Sequence, residues 1–407
     1  MQKAFVQVLL GQVISLFGNA ALRFVLPLVL LRQTDSAALY GAVTALALLP
    51  ALVGTLVGGV LADHHRKART MVALDLAAAA AVLSTALLMD RVLLAAVVAA
   101  ALCTLYALQG LYQPVVRASL PLLLREQQLV HGNAAIQLVD TLDELLGPLL
   151  GSLLLGTLGL QKLLLLCAGC FVLSALLETQ IRIPGDVPQR STAPRRKITA
   201  ELRECLVYLH THQPEVLRLA GVMALVNLVE IPAVLVGIPV AAVQYLGRSD
   251  ADLGMIQAVL SVGGLAGGML AGVWARRMDT RRAIGLLQGI AGLCAALGAV
   301  LWLPRFACAG VALCGFGVMT AAMLFNVWLF ARLQTLVPQE QLGRVTGCTV
   351  ALASLTQPVG QAAYGVLFGR FSACPMAVLL GAGAVSAVVL GRLAPKFTSA
   401  DSDIPQS

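Results

Sequence analysis

Carboxylates inside apolar segments are the residues of this chain whose type and spacing could do chemistry. Asp140, Asp143 and Glu144 stand at i, i+3 and i+4, so a helix would carry all three on one face. Three like charges this close together cannot easily all stay ionised away from water. A carboxyl group that titrates near neutral pH is suited to proton exchange or to cation recognition. The alternatives are a well-hydrated face or a pairing with Arg117.

A second carboxylate, Glu230, is isolated within another apolar segment, with Asn227 one helical turn before it. Arg23 and Asn19 share a helix face at i, i+4 in the first apolar segment. We expect Arg23 to partner either Glu230 or the three carboxylates, because an unpaired charge in an apolar environment is costly. Further candidates for polar lining, which packing hydrogen bonds would explain equally well, are Gln109, Tyr112 and Gln113.

Patterns for enzyme chemistry are missing from the sequence. It has no H-E-x-x-H zinc motif, no G-x-S-x-G nucleophile elbow and no phosphate-binding P-loop. Cys167 and Cys170 form a C-x-x-C, but in an apolar segment without nearby His or Cys partners. We therefore predict that the protein is not an enzyme and that it holds no metal and no cofactor.

The composition of the chain indicates which kind of secondary structure positions these residues. Hydrophobic residues make up 59% of the 407-residue chain and charged residues only 12%, against about 25% charged in soluble domains. The apolar residues come in blocks of about 20, the length of a helix that crosses a bilayer. We predict an all-α membrane protein with twelve spans, at 4–31, 38–62, 70–89, 92–116, 132–157, 162–181, 216–243, 252–275, 283–303, 305–331, 345–368 and 374–394.

The net charge of +8 is explained by topology and does not indicate nucleic acid binding. With the N-terminus inside, 21 of the 28 Lys and Arg residues fall on the inner side and six on the outer side. This asymmetry is the positive-inside bias, and an even number of spans returns the C-terminus to the cytoplasm.

A polar interval divides the spans into two groups of six. We predict an N-terminal bundle at 1–183, a cytoplasmic linker with a basic amphipathic helix at 184–213, a C-terminal bundle at 214–394 and a short tail at 395–407. The loop sequence Gly59-Val60-Leu61-Ala62-Asp63 is echoed 213 residues later, from Gly272. Such internal repeats are typical of membrane proteins in which two bundles rock against each other.

Several motifs resemble the major facilitator superfamily over essentially the whole chain. Gly58 to Lys67 is similar to the family's loop signature between spans two and three. Leu146-Gly147-Pro148-Leu149-Leu150-Gly151-Ser152 is similar to its antiporter motif in span five, and we expect Pro148 to kink that helix. The stretch from Gly18 to Leu28 and the loop Pro338 to Val345 resemble the bacterial macrolide and drug efflux branch.

This resemblance implies two pseudo-symmetric six-helix bundles and secondary active transport by alternating access. It implies proton-coupled efflux of a small amphipathic compound or drug from the bacterial cytoplasmic membrane. It further implies a monomer whose partners are the solute, protons and membrane lipids. The alternatives are a uniporter, a lipid or lysolipid flippase, and a non-transporting sensor. The residues expected to act as a conformational switch are Gly59, Asp63, Arg66, Lys67, Asp75, Arg117, Gly147, Pro148 and Arg344.

The sequence departs from the family pattern at three positions. His64 stands where an Arg usually follows the loop Asp, and Arg276 stands where the second half would repeat Asp63. Tyr106 occupies the position, three residues before Gln109-Gly110, that often carries an Arg in span four. This last difference puts the usual form of proton coupling in doubt.

Overall fold

The computed structural model describes residues 2–89, 91–181, 183, 207, 209–211, 213–274, 278–303 and 305–401. Within these ranges the regular elements are helices, with no strand. The amphipathic helix predicted for the linker lies largely outside the described residues. The long helices are α1 (Gln2–Thr34), α2 (Ala37–His64), α3 (Lys67–Leu88), α4 (Leu94–Leu123), α5 (Leu129–Leu158), α6 (Leu160–Thr179), α7 (Pro214–Tyr245), α8 (Asp250–Trp274), α9 (Thr280–Val300), α10 (Ala307–Leu336), α11 (Gln339–Arg370) and α12 (Pro375–Asp401).

Length and composition make these helices membrane spans. Ten of them, all except α5 and α11, contain an apolar window long enough to cross a bilayer. Helices α5 and α11 have 30 and 32 residues, and at about 1.5 Å per residue each exceeds the thickness of the hydrocarbon layer. The predicted all-helical membrane fold is confirmed, and the long helices are consistent with twelve spans.

Large aliphatic side chains face outward along these helices. Leu87 is 69% exposed, Leu93 73%, Met269 73% and Val273 62%. Apolar surface on this scale would drive association in water. It is the surface expected where lipid is the solvent.

The chain divides into two units, each with its own interior. Unit 1 comprises Met1–Ala193 together with Arg248–Ala258, the start of α8, and unit 2 comprises Pro194–Gly247 and Val259–Ser407. In unit 1, α1 packs on α5 and α6, α2 packs on α4, and α3 packs on α4 and α6. In unit 2, α9 packs on α10 and α12, and α7 packs on α11.

Glycines allow α2 and α4 to approach closely. A Cβ built on Gly110 would lie 2.5 Å from the carbonyl oxygen of Ala51, and one on Gly54 would lie 2.6 Å from that of Ala107. Contact between backbones at this distance excludes any side chain, which is the role of small residues at helix interfaces in membranes. These glycines hold α4 in position, and α4 carries several of the predicted site residues.

Helices α5 and α7 show how proline is accommodated. Helix α5 runs without interruption through Pro148, although this residue lacks a backbone donor. Helix α7 changes to a π-helical turn at Val226–Glu230, directly before Pro232, and again at Ala241–Tyr245, after Pro239. A π-turn re-aims side chains relative to a regular helix and often marks a functional position. Asn227 and Glu230 both lie in the first of these turns.

Candidate functional site

Arg23 is the centre of a polar group in unit 1. Its guanidinium donates a hydrogen bond to Gln109 Oε1 on α4. Its guanidinium carbon lies 4.8 Å from the ring centroid of Tyr106, one turn before Gln109, in a cation–π contact. Asp143 and Glu144 on α5 attract the same charge. Within unit 1, the charges that act on Arg23 are thus those of Asp143 and Glu144 in span five, one of the two alternatives that the sequence allowed.

Helix α4 continues this group as a ladder of polar side chains. Gln109, Gln113 and Arg117 follow at four-residue intervals, which places consecutive members on one face. Gln113 Nε2 donates to Asp140 Oδ1 at 3.1 Å, and an Arg117 guanidinium nitrogen lies 3.4 Å from Asp140 Oδ2. The predicted alternative, that Arg117 pairs with this helix face, is therefore realised at Asp140. We call these residues, with Arg23 and Tyr106, the polar ladder.

The three carboxylates of α5 have different surroundings. Asp140 is bound by Gln113 and Arg117. Asp143 is half-buried, and its Oδ1 has no hydrogen-bond partner, whereas Glu144 is exposed. Asn19, one turn before Arg23 on α1, is buried and has an unpartnered Oδ1. Three helices thus bring cationic, anionic and amide groups together, a combination that can exchange partners with a polar ligand.

Two predicted residues belong to a different group. Tyr112 was a candidate either for cavity lining or for a packing hydrogen bond, and the structure shows the second, because its hydroxyl donates to Glu178 Oε1 at 2.6 Å inside the bundle. Asp75 was predicted to lie with the cationic loop after span two, but it is 2% exposed and accepts a hydrogen bond from Ser15 at 2.7 Å. A single sequence does not tell which neighbour a buried polar side chain meets.

Glu230 lies in unit 2 and is 1% exposed. Ser386 on α12 donates a hydrogen bond to its Oε1, while its Oε2 has no partner. Asn227, in the same π-turn, is half-buried. Burial of a carboxylate against one hydroxyl leaves it short of hydrogen bonds in its ionised form, which accepts only. Glu230 is therefore a place where a proton could be taken up.

A cavity of about 490 Å³ lies near the loop between α2 and α3, and His64, His65 and Arg69 help to line it together with one predicted switch residue, Arg66. Arg66 is exposed and Lys67 is buried. A Cβ on Gly59 would meet no atom within 4 Å, so this glycine is not required for close packing. The side chains of Asp63 and Arg344 lie outside the described part of the chain.

Gly147 in α5 has a packing role. A Cβ at this position would lie 2.4 Å from Cβ of Ala20, and a Cβ at Gly151, one turn later, would lie 3.2 Å from the Ala21 Cα. Close packing of α5 on α1 brings the carboxylates of α5 within reach of Arg23. Gly147 and Gly151 therefore contribute to the site indirectly, because they let α5 lie close to the helix that carries Arg23.

Sequence reasoning missed the partners that come from distant spans. Arg32, at the end of α1, forms an ion pair of 2.8 Å with Asp250, at the start of α8, and also donates to the Arg248 carbonyl. Glu178 could have been found from its position in an apolar span, since intramembrane charges are functional candidates by default. Ser386 gives no such signal, because single hydroxyls are common in apolar helices.

A search for three or more His, Cys, Asp or Glu side chains able to hold a metal ion finds none in the described portion of the structure. The polar ladder is built from amide, guanidinium, phenol and carboxylate groups. Such groups are able to bind a polar ligand and to exchange protons.

The sequence matches the Major Facilitator Superfamily over residues 8–361. Among similar proteins, the multidrug efflux pump Tap of Mycolicibacterium fortuitum is 28% identical over 357 residues, which cover 84% of each chain. The enterobactin exporter EntS of Salmonella typhi is 26% identical and covers 94% of this chain and 90% of its own. Macrolide efflux protein A of Streptococcus pyogenes is 25% identical, with coverage of 86% and 85%.

Solved structures support the same fold. The nucleoside transporter NupG superposes with a TM-score of 0.73 at 12% identity, covering 97% of this chain and 99% of that one. A bacterial homologue of the iron transporter ferroportin, in an inward-facing state, gives 0.65 at 17% identity, with 97% and 99% covered. At these identities the likeness concerns the fold, and the family assignment rests on the sequence match. The chain is a multi-span membrane transporter that belongs to the major facilitator superfamily.

Proposed function

We propose that this transporter exports a small amphipathic organic compound from the bacterial cytoplasm in exchange for protons. The observation that carries the proposal is the polar ladder, in which Arg23 contacts an aromatic face and an amide and is attracted by the two nearby carboxylates of Asp143 and Glu144. An aromatic face beside exchangeable polar partners suits a ligand with both apolar and polar parts. The similarity to efflux proteins for drugs, macrolides and enterobactin agrees with this class of ligand.

Proton coupling is proposed to run through carboxyl groups that can gain and lose a proton during the cycle. Asp143 and Glu230 each keep a carboxyl oxygen without a hydrogen-bond donor. Desolvation favours the neutral form of such a group, and a change in hydration on opening favours the ionised form. Arg23 is proposed to stabilise the ionised form of Asp143 and to release it when substrate takes its place.

The switch is proposed to lie at the inner ends of α2 and α3. Asp63, Arg66 and Lys67 would form contacts there that differ between the two access states, a two-state element of the kind that rocking bundles need. The proposed orientation has both termini in the cytoplasm. The proposed functional unit is a monomer in the bacterial cytoplasmic membrane.

The test is solute flux in proteoliposomes with an imposed pH gradient, after a susceptibility panel in an efflux-deficient bacterium has supplied a substrate. The proposal predicts uphill, uncoupler-sensitive export that Arg23→Gln abolishes. Flux that follows the solute gradient alone, unaffected by an uncoupler, would identify a uniporter. Movement of a labelled lipid without solute flux would identify a flippase, and no flux of either kind would favour a sensor.

A further inference from the structure

Unit 1 contains a second acidic group that is separate from the polar ladder. Asp75 on α3 is 2% exposed and Glu178 on α6 is 0% exposed. Asp75 Oδ1 accepts a hydrogen bond from Ser15 of α1 at 2.7 Å, and Glu178 Oε1 accepts one from Tyr112 of α4 at 2.6 Å. Four helices therefore enclose two carboxyl groups, with only hydroxyl groups as donors.

Helix α1 brings the two carboxyl groups near each other. A Cβ built on Gly11 would lie 3.3 Å from Glu178 Cγ and 3.4 Å from Ser174 Oγ, and Ser174 donates to the Gly11 carbonyl. Ser15, which holds Asp75, is one turn further along the same face of α1, about 6 Å on. The absence of a side chain at Gly11 is what allows Glu178 to approach this face.

Each carboxyl group has one oxygen without a donor, Asp75 Oδ2 and Glu178 Oε2. A third buried side chain also lacks hydrogen-bond partners. Gln12 lies between Gly11 and Ser15 on α1, is 0% exposed, and has no hydrogen-bond partner for either amide atom. Buried polar atoms are almost always paired, so the unpaired oxygens of Asp75 and Glu178 need an explanation of their own.

Hydroxyl groups from the packed helices face Asp75 and Glu178, and one of them, the phenol of Tyr112, is itself a weak acid. Helix α1 presents Ser15, α4 presents Tyr112, and α6 presents Ser174. The titratable members of the cluster are Asp75, Glu178 and Tyr112, which are all acids. On α3, Lys67 lies eight residues before Asp75, about 12 Å along the helix axis.

We propose that Asp75 and Glu178 form a proton-binding site inside the N-terminal bundle, distinct from the polar ladder, which holds one proton while the pair is dry. Two adjacent carboxylates cannot both remain ionised away from water without a cation. A proton on Glu178 Oε2 or Asp75 Oδ2 removes one of the two charges and turns an unsatisfied acceptor into a donor. The Asp140 carboxylate differs, because Arg117 already compensates its charge.

The site is linked to the polar ladder through α1. Ser15 is one turn before Asn19 and two turns before Arg23. Loss of the proton would place two negative charges against the Gly11–Ser15 segment and draw water or a cation toward it. A shift of α1 in response would move Arg23. This last step rests on the proposed transport function, whereas proton binding by the pair does not.

Infrared difference spectroscopy tests the proposal by comparing spectra of the purified full-length protein in acidic and in alkaline buffer. Wild type should show the carbonyl stretch of a protonated carboxyl group that persists to neutral pH, with the downshift in heavy water that such a group shows. Asp143→Asn and Glu230→Gln identify the part of the band that those two carboxyl groups contribute, and Asp75→Asn and Glu178→Gln should each remove a further component. Asp250→Asn, which alters a partly exposed acid at the start of α8, should leave that component in place.

Two milder variants keep both carboxyl groups and guard against misfolding of the first pair. Ser15→Ala and Tyr112→Phe each remove a donor that favours the ionised form. In both variants the band should therefore persist to more alkaline pH than in wild type. Size-exclusion profiles and circular dichroism establish that each variant is folded.

Three results would overturn the proposal. The first is a neutral-pH band that Asp75→Asn and Glu178→Gln both leave undiminished, and the second is no such band in wild type. The third is a sodium-dependent gain in thermal stability that Asp75→Asn abolishes, which would make the pair a metal cation site. Failure of the transport proposal has a different signature, since flux would be independent of pH while the infrared band was still diminished in Asp75→Asn.

Discussion

The guanidinium of Arg23 rests 4.8 Å from the ring centroid of Tyr106, although the two residues come from different spans. Tyr106 occupies the position in span four where the family often carries an arginine. In this chain the cation comes from α1 and stacks on Tyr106. A positive charge therefore lies beside Gln109 although span four has no arginine at position 106.

The contact between Arg23 and Tyr106 predicts that an arginine at position 106 can partly replace Arg23. Arg23→Leu should reduce uphill transport at least tenfold, since it removes a cation–π contact worth roughly 0.5–2 kcal/mol together with a hydrogen bond, and about 1.4 kcal/mol is a factor of ten. The double variant Arg23→Leu, Tyr106→Arg should recover part of the activity. Tyr106→Phe keeps the aromatic face and serves as the control. Equal loss in the single and double variants would show that the position of Arg23 on α1 is itself required.

The carboxyl groups should divide into two classes when each is neutralised in turn. Asp143→Asn or Glu230→Gln should abolish uphill, pH-dependent transport while sparing downhill exchange, because each has an oxygen without a donor. Asp140→Asn should retain coupling with a smaller effect, because Gln113 and Arg117 already supply donors to both of its oxygens. Flux measured over a range of pH distinguishes the classes. If all variants, Glu144→Gln included, kept wild-type uphill flux, these carboxyl groups would line a hydrated cavity without taking part in coupling.

The length of the apolar blocks was enough to predict the helical spans, and residue type alone marked Gln109 and Gln113 as possible polar lining, but the ladder that they form with Arg117 on α4 was not predicted. Helical periodicity could not assign Tyr112 either, since in a fully apolar helix each side meets another helix or lipid. The partner of Tyr112 is Glu178, 66 residues away in sequence. Contacts over such distances depend on how helices are ordered around the bundle. The order of the helices around the bundle cannot be deduced from a single sequence.

The close approach of α2 and α4 gives a prediction about stability. Gly110→Ala should destabilise the protein by about 1–3 kcal/mol, because its Cβ would lie 2.5 Å from the Ala51 carbonyl oxygen and the helices must separate. Gly169→Ala is the matched control, since a Cβ there meets nothing within 4 Å and alanine is the better helix former. Thermal unfolding in detergent measures the difference. Similar melting temperatures for both variants would mean that the α2–α4 interface is looser than described.

Topology reporters test the predicted orientation. Fusions after Arg69, near Ser191 and at Ser407 should report a cytoplasmic location, and a fusion at Arg248 should report the outside. The physical reason is the excess of Lys and Arg in the loops assigned to the inner side. Paired reporters that are active on opposite sides of the membrane control for expression. An external Ser407 would require an odd number of spans.

The ion pair between Arg32 and Asp250 gives the last prediction. It joins the end of α1 to the start of α8 at 2.8 Å, and the two side chains are 34% and 29% exposed. A pair with this much exposure contributes only about 0–1 kcal/mol to stability, so its removal should leave folding intact. A contact of that strength can still bias a two-state equilibrium if the two helix ends separate during the cycle.

Reversal of one charge should therefore act on transport more than on stability. Arg32→Asp and Asp250→Arg should each lower the rate of uphill flux several-fold, because like charges then face each other. The double variant with both changes should restore the rate, and the melting temperatures should stay close to wild type. High salt should narrow the differences, since exposed charges are screened within about 10 Å at 0.1 M ionic strength. Loss of flux in the double variant equal to that in the singles would mean that the two residues act separately.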